Sequence, residues 1–501
     1  MPLNTNAINM QDILDVVVAF SSEKDYFKLL DLILSKMCVI TNCDAGTLYT
    51  LDDEQLHFRI LHNDTLNVHK NDETDIGLPP IKLDAKNIKN VSAYCAIKNE
   101  MVNVPDVYSD LRFNFEGPKN YDKYTGYKTS SMLVFPLANA ENQVVGVLQL
   151  MNAKDANGNL IPFVQEFEFY LGALSNIAAV ALTNIAYTEE IRDLFYSFVK
   201  IMSKAVDERS HYNGNHTNMV AGYCGDFVDY LEERFGADNK YGVLGRHKEQ
   251  LVMAAYLHDI GKVVTPLEVM DKGTRLGDRA SRLEMLFALK KAQLEVSFLR
   301  GAICEEAYRV ELAGVCETAE LVARVNPAGY VPAEIMDKLK SYYAMTYTDD
   351  RGEQVRIFEQ EDIDCLGIMR GTLTKEEMCV MQNHVVITAK LLDNISFNKQ
   401  YQDVPVWASC HHEFLDGSGY PNHYANGEIP LEVCILTISD IFDALSARDR
   451  PYKKAVPYDK SCEILCDMAR EGKLHAELVE LFIESKIWEK YEISAGWAHG
   501  E

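Results

Sequence analysis

The sequence predicts an α+β N-terminal domain, an antiparallel sheet with flanking helices, joined by a long helix to an all-α C-terminal domain. Three observations carry this. Strand-like apolar runs are confined to residues 45–152. From Phe163 to about Lys204 apolar residues recur at helical spacing with few breakers. Residues 190–490 are helical by periodicity almost throughout. At 501 residues the chain has room for two to four domains of about 100–200 residues each.

The elements follow in order. Residues 10–43 place Ile13, Val17 and Phe20, then Phe27, Leu30, Leu34 and Met37, on helix faces. The runs GTLYTL, LHFRIL, SSMLVFPL and VVGVLQLMN have strand length, and polar turns such as Asp52-Asp53 join them. Leu171, Leu174, Ile177, Val180, Ala181, Ile185, Ile191, Leu194, Phe198 and Ile201 then mark one long helix or two in series.

Apolar residues make up 47% and charged residues 25%, the composition of an ordinary folded protein. The formal charge of −26 repels nucleic-acid polymers and anionic lipid, so neither is an expected partner. A small anionic substrate remains compatible if metal ions offset the field. The twelve cysteines form no C-x-x-C pair, a usage that suits a reducing cytosol. The N-terminus lacks a basic stretch before its apolar residues, and the run Leu171 to Ala186 is interrupted by Ser175, Asn176, Thr183 and Asn184. The expectation is therefore a soluble cytoplasmic protein without a membrane span.

Residues 12–186 resemble a GAF domain, chiefly through GVLQLMNAKDANGNLIPFVQEFEFYLGALSNIAAVAL. GAF domains that bind cyclic nucleotides often carry an Asn-Lys…Phe…Asp-Glu pattern. Asn152, Phe163 and Glu168 match it, while Ala153 and Phe167 stand at the Lys and Asp places. The resemblance implies a sensor domain taking a small-molecule effector, or one that serves dimerisation alone. Residues 187–204 are expected to be its connecting helix.

The C-terminal chemistry begins at His258-Asp259-Ile260-Gly261-Lys262, which follows the apolar LVMAAYL and so falls near a helix end. An adjacent imidazole and carboxylate can bridge two cations, and Lys262 follows at i+3 and i+4. His411-His412-Glu413 runs into Asp416-Gly417-Ser418-Gly419-Tyr420-Pro421. Neighbouring imidazoles on a helix point about 100° apart, so both reach one cluster only where the backbone turns. His216 and His384 are polar insertions on helices expected to be apolar, the latter beside Val380, Met381, Ile387 and Leu391. Asp440 follows the very apolar VCILTIS, where a buried carboxylate needs a partner or a metal. Singly, each fits a satisfied core polar group. Together, His216, His258, Asp259, His384, His411, His412 and Asp440 suffice for two octahedral metals. Imidazole and carboxylate donors without thiolate suit iron or manganese better than structural zinc.

The order H…HD…H…HH…D with Gly419-Tyr420-Pro421 resembles the HD-GYP family, HD-superfamily phosphodiesterases of bacterial cyclic dinucleotides. The likeness covers about 195–470 and includes Asp449-Arg450-Pro451-Tyr452. It implies that His216, His258, Asp259 and Asp440 hold one metal, that Asp259 bridges, and that His384, His411 and His412 hold the other. It implies also that Lys262 and Arg450 contact substrate phosphates and that the Gly-Tyr-Pro loop shapes the pocket. Two-metal chemistry of this kind needs no nucleophilic side chain. The expected reaction opens cyclic di-GMP to linear pGpG, with further cleavage to GMP as an option. The alternatives are another cyclic dinucleotide such as cyclic GMP-AMP, or a signalling receptor or adaptor with little turnover. A homodimer is the expected assembly.

Two features depart from that family. Members with a third metal carry a Glu one helical turn before the first His, where this chain has Tyr212 and Asn213. Between the family-like flanks VMDKGTRL and RGTLTKEEM lies an insertion at about 276–370, within an HD-GYP domain expected over 205–490. Leu283, Phe287, Leu294, Phe298, Ile303, Ala307 and Val310 make its first part an amphipathic helix or helical hairpin. Extra packing, a lid and a dimer contact are equally compatible with it.

Overall fold

The structure, a computed structural model, describes residues 10–71, 76–209, 215–425, 427–447 and 456–491. The chain divides into two compact units between Leu194 and Phe195. The first holds α1 (Met10–Ser22), α2 (Tyr26–Thr41), β1 (Cys43–Asp52), β2 (Gln55–Asn63), β3 (Val68–Asn71), β4 (Ile81–Lys82), α3 (Val91–Lys98), β5 (Val102–Val104), α4 (Glu116–Thr125), β6 (Met132–Ala138), β7 (Val144–Lys154) and β8 (Leu160–Ile161). The sheet runs β3-β2-β1-β7-β6-β5, with β4 on β2 and β8 on β7, and these pairings are antiparallel.

Helix α2 starts where the Asp25 side chain accepts from Lys28 N and ends at Asn42 in the left-handed region. It buries Leu29, Leu30, Ile33, Leu34 and Met37, one continuous stripe. Both faces of the sheet are covered. One meets the cluster of Phe20, Leu30, Leu150, Leu171 and Leu174, the other that of Val91, Cys95, Val104 and Val147. Strand β1 is therefore buried at each residue from Cys43 to Thr50, which is why GTLYTL does not alternate strictly.

Helix α5 runs unbroken over Glu166–Asp207. One helix, not two in series, follows the sensor sheet. Leu171, Leu174, Ala178 and Leu182 join the core of the first unit, and Val199 that of the second. By length and composition α5 could cross a membrane, a test that the core helix of a soluble protein also passes. Its polar interruptions are uncharged, so an 18-residue window keeps a mean hydropathy of 1.5, and a third of that window is buried.

The second unit continues with α6 (His216–Phe235), α7 (Lys248–Leu257), α8 (Leu267–Met270), α9 (Arg279–Leu299), α10 (Glu305–Val325), α11 (Ala333–Lys340), β9 (Thr346–Thr348), β10 (Gln354–Arg356), α12 (Gln360–Leu366), α13 (Lys375–Gln382), α14 (His384–Leu392), α15 (Val404–Ser409), α16 (Leu431–Ser446), α17 (Tyr458–Arg470) and α18 (Ala476–Ser485). It is mostly helical, as expected, with one small hairpin, β9–β10, between residues 346 and 356. The insertion opens with the helical hairpin α9–α10, yet Val310 is 67% exposed, outside the stripe expected to be buried. Leu283, Phe287, Leu294, Val322 and Leu366 give the insertion its own core. The main core is built from α6, α7, α15, α16 and α18, through Phe227, Leu251, Trp407, Ile435 and Phe482.

Candidate metal centre

The chemistry-bearing side chains sit at helix ends. Helix α7 buries Leu251, Met253, Ala254, Ala255 and Leu257, closes at His258, and passes through Asp259 into the 3-10 turn Ile260–Val264. That turn packs against α14 so closely that a Cβ on Gly261 would lie 1.9 Å from His384 O. Thr388 on α14 ties the two together, donating to His258 O and accepting from Gly261 N, both at 3.0 Å. His384 is the first residue of α14, because Asn383 separates it from α13. The expected single helix around His384 is thus two short ones, with Val380 and Leu391 exposed.

His411 and His412 follow the end of α15, where the chain turns, and their rings lie 4.1 Å apart. Thr437 on α16 donates to His411 O at 2.8 Å. Asp440 belongs to the same helix and His216 opens α6.

These residues converge. His216 Nε2 lies 3.2 Å from Asp440 Oδ1 and 3.7 Å from Asp259 Oδ2. His258 Nε2 is 3.2 Å from Asp259 Oδ2 and 3.8 Å from Asp440 Oδ1. Across the carboxylate, Asp259 Oδ1 is 3.3 Å from His384 Nε2 and 4.0 Å from His411 Nε2. His412 Nδ1 lies 4.0 Å from Asp440 Oδ2. Two triads, His216 with His258 and Asp440, and His384 with His411 and His412, each bring their donor atoms within 4.8 Å of one another. The two oxygens of Asp259 face one triad each.

Their second hydrogen bonds leave the inward nitrogens available. Nδ1 of His258, His384 and His411 lies 2.6, 2.7 and 2.8 Å from the carbonyls of Ala255, Met381 and Ala408. With Nδ1 donating, each Nε2 carries a lone pair toward the cluster. His216 Nδ1 instead meets Asp443 Oδ2 at 2.6 Å. Buried His258 Nε2 and Asp259 Oδ1 have no hydrogen-bond partner. Acceptor atoms left so in a dry site are costly unless a cation takes them, so the donor set fits divalent metal ions.

Electrostatics divides the two triads, and beside Asp259 and Asp440 the basicity of His258 is raised against its burial. Burial lowers the His411 basicity, helped by His412 and His258, and lowers that of His412 to about 4, so both stay neutral. Burial works the same way on His384. For His216 burial is outweighed by Asp440 and Asp443, which push it up to about 10. Asp259 is held well below the usual carboxylate range, against its burial, by His258 and Lys262. Lys262 Nζ donates to Asp259 Oδ2 at 2.5 Å. Its side chain is 17% exposed and that of His412 25%, against 10% or less for the other donors, so the cluster opens to solvent on their side.

The Gly-Tyr-Pro loop supports His412. The Tyr420 ring lies 4.9 Å from that imidazole, Tyr420 N donates to His412 O at 3.1 Å, and a Cβ on Gly419 would meet that carbonyl at 2.6 Å. Pro421 follows, half-buried. Glu413 accepts from Asn422 N and Tyr424 N and so closes the loop. Arg450, with the rest of Asp449-Arg450-Pro451-Tyr452, and Tyr212 and Asn213 lie outside the described residues.

Sequence reasoning passed over four side chains. Asp443 stands three residues after Asp440, one helical step along the same face, and that spacing could have revealed it. Asp207, at the end of α5, accepts from Thr217 Oγ1 at 2.9 Å beside His216. Arg209 donates to Lys262 O at 2.9 Å and to Val263 O. With Thr388, these last two have no signal in the sequence, because their partners are distant in the chain. In the sensor unit, Asn152 binds Ser130 N and Lys128 O, Phe163 is core, and Glu168 accepts from Asn103. Lys154 pairs with buried Asp44, supplying an ion pair although Ala153 and Phe167 cannot.

Comparison with known proteins agrees with this architecture. The family model of the GAF domain matches residues 26–182 and that of the HD domain residues 364–478. The chain thus carries a GAF domain followed by an HD domain. His216, His258 and Asp259 lie upstream of the HD match, on the far side of the insertion. The chain is similar to 3'3'-cGAMP-specific phosphodiesterase 3 of Vibrio cholerae, 39% identical over 123 residues, covering 23% of this chain and 25% of the relative. It is similar to cyclic di-GMP phosphodiesterase response regulator RpfG of Xanthomonas campestris, 40% over 111 residues, covering 22% and 28%. A third relative is dual 3',5'-cyclic-AMP and -GMP phosphodiesterase 11A of Takifugu rubripes, 29% over 171 residues, covering 34% and 18%. The chain thus spans less than a third of the length of each.

Proposed function

We propose that the chain is a metal-dependent phosphodiesterase that hydrolyses cyclic di-GMP to linear pGpG, and then to GMP where the second bond is accepted, under control of its GAF domain. The observation that carries this is Asp259, one carboxylate with its two oxygens turned to two separate donor triads, one of two histidines and an aspartate and one of three histidines, and an ammonium group alongside. His216, His258, Asp259 and Asp440 would hold one divalent ion and His384, His411 and His412, with Asp259 shared, the other, iron or manganese by donor type. When bound, such a pair lowers the pKa of water and neutralises phosphoryl charge. Lys262, on the solvent-open side, would bind a non-bridging phosphate oxygen, the task for which Arg450 is its partner. The Gly419-Tyr420-Pro421 loop would orient His412 and border the substrate.

Cyclic GMP-AMP is the second reading, favoured by the Vibrio cholerae relative's printed specificity. A receptor or adaptor with little turnover is the third. Regulation would pass through the end of α5, where Asp207 holds Thr217 beside His216 and Arg209 holds the carbonyl of Lys262. We take the domains as 12–186, 187–204 and 205–490 and the working species as a cytoplasmic homodimer. Metal analysis of anaerobically purified protein, with product analysis on cyclic di-GMP and cyclic GMP-AMP, separates these readings. Two metals and pGpG support the first. Full metal content without hydrolysis of either dinucleotide would refute an enzyme of this class.

A further inference from the structure

Helix α2 and strand β1 of the sensor unit meet over two cysteines. Cys38 lies in the last turns of α2, and Cys43 opens β1 just after the cap. Asn42, in the left-handed region, places its N–H on the carbonyls of Cys38 and Val39, and the residue that follows such a cap commonly packs back on the helix it leaves. The two side chains therefore meet, with Cys38 donating a hydrogen bond to Cys43. Both sulfurs lie over the first residues of β1. Cys43 Sγ is 3.4 Å from Ala45 O, and Cys38 Sγ stands 3.1 Å from where a Cβ on Gly46 would lie. Both thiols are free.

We propose that Cys38 and Cys43 are an oxidative modification site of the sensor unit, closing to an intrachain disulfide when hydrogen peroxide reaches them. The inference is independent of the phosphodiesterase reading. Cys43 is the nucleophile. Burial raises its thiol, yet hydrogen bonds with Cys38, Thr41 and the Met151 backbone outweigh burial and hold it below its ordinary value, which favours the thiolate. Cys38 is shifted the other way, by the hydrogen bond it donates to Cys43 and by burial. It keeps its proton and is the resolving thiol.

The chemistry takes two displacements. The Cys43 thiolate attacks one peroxide oxygen; an S–O bond forms, the O–O bond breaks, and hydroxide leaves to become water with the proton that Cys43 gave up. The Cys38 sulfur then attacks the resulting sulfenic acid; the S–S bond forms, the S–O bond breaks, and the departing hydroxide takes the Cys38 proton as a second water. Two thiols lose two electrons and one peroxide gains them. Access is short, since Cys38 and Cys43 retain 7% and 6% exposure and Val39 beside them is 77% exposed. The ring so closed spans only residues 38–43, too few for the bond to remove much freedom from the unfolded chain. It is a reversible mark, not a structural staple.

The test is tryptic peptide mapping of the full chain before and after hydrogen peroxide, with a chelator present so that no iron generates radicals, and with free thiols blocked by N-ethylmaleimide after unfolding. Cleavage at Lys36 and Arg59 releases residues 37–59, which hold Cys38 and Cys43 and no other cysteine. Peroxide should convert this peptide to an unblocked form two hydrogen masses lighter than the dithiol, and dithiothreitol should restore two blockable thiols. Cys38→Ser should leave Cys43 as a sulfenic acid that dimedone captures, whereas Cys43→Ser should leave Cys38 reduced. Exposed Cys304 and Cys379 report that the oxidant acted. Oxidation of those two while residues 37–59 keep both thiols overturns the site. A sulfinic acid on either residue of the native chain, without the disulfide, overturns the pairing. A disulfide that forms only at peroxide doses that abolish the far-UV circular dichroism overturns it as a property of the fold. Dimedone capture at Cys38 in Cys43→Ser, with none at Cys43 in Cys38→Ser, overturns the roles.

Discussion

Asp443→Ala removes the carboxylate 2.6 Å from Nδ1 of His216, and both residues are buried, at 4% and 7% exposure. The substitution leaves a buried N–H unmet and frees the imidazole to turn. Losing the outer partner of a metal-binding histidine costs typically about 10–100-fold in metal affinity, or about 1.4–2.7 kcal/mol at 1.36 kcal/mol per factor of ten. The effect should be confined to one triad. His258, His384 and His411 are held by backbone carbonyls, which the change does not touch. At limiting metal the stoichiometry should therefore fall from two toward one, and hydrolysis with it. Asp443→Asn keeps an acceptor oxygen and should lie near the tenfold end. The assay is metal analysis after dialysis against buffered free iron or manganese, with hydrolysis of cyclic di-GMP alongside. An alanine variant that retains two ions at native affinity would refute the reasoning, and equal loss from both triads would show that Asp443 supports the fold rather than His216.

Three further outcomes are expected. Asp259→Asn, by removing the charge that faces both triads, should abolish two-metal binding and hydrolysis together, whereas Lys262→Ala should keep both ions and lose turnover by about 10²–10³-fold, the range for one lost transition-state donor; metal content measured beside rate separates them. Gly261→Ala must displace the 3-10 turn from α14, since its Cβ would lie 1.9 Å from His384 O and 2.7 Å from Thr388 N, so thermal unfolding should shift downward and metal content fall, and an unchanged melting curve would contradict that packing. His216 is raised from 6.5 to about 10 in the metal-free fold, by Asp440 and Asp443 against its burial. A raised basic group stabilises fully below its unfolded value and loses that contribution as pH rises through the folded one. Metal-stripped protein should therefore lose stability between about pH 6.5 and 10, and calorimetry in buffers of different ionisation heat should detect a proton released when the His216 triad takes its ion at pH 7. Zero release would place His216 neutral.

What a residue reading could determine was contiguous or periodic. His258-Asp259 with Lys262, His411-His412 and the Gly-Tyr-Pro turn carry their chemistry within a few positions, so their local geometry follows from helix ends and turns. Helix-spaced apolar residues likewise announced α2, α5 and the hairpin α9–α10. Periodicity, however, marks where apolar side chains lie and is silent on which of them another element covers. Leu171 and Ile191 read alike in the sequence, yet one is core and the other exposed. Val310 was assigned inward and points out. Only the tertiary structure decided that Asp443 backs His216, that Arg209 reaches the carbonyl of Lys262, that Thr388 ties α7 to α14, and that Lys154 finds Asp44. Those partners are separated by 53 to 227 positions, and nothing in a local pattern encodes which distant element will stop beside another. That choice belongs to packing, which buries the apolar faces first and then requires every polar group caught between them to find a partner.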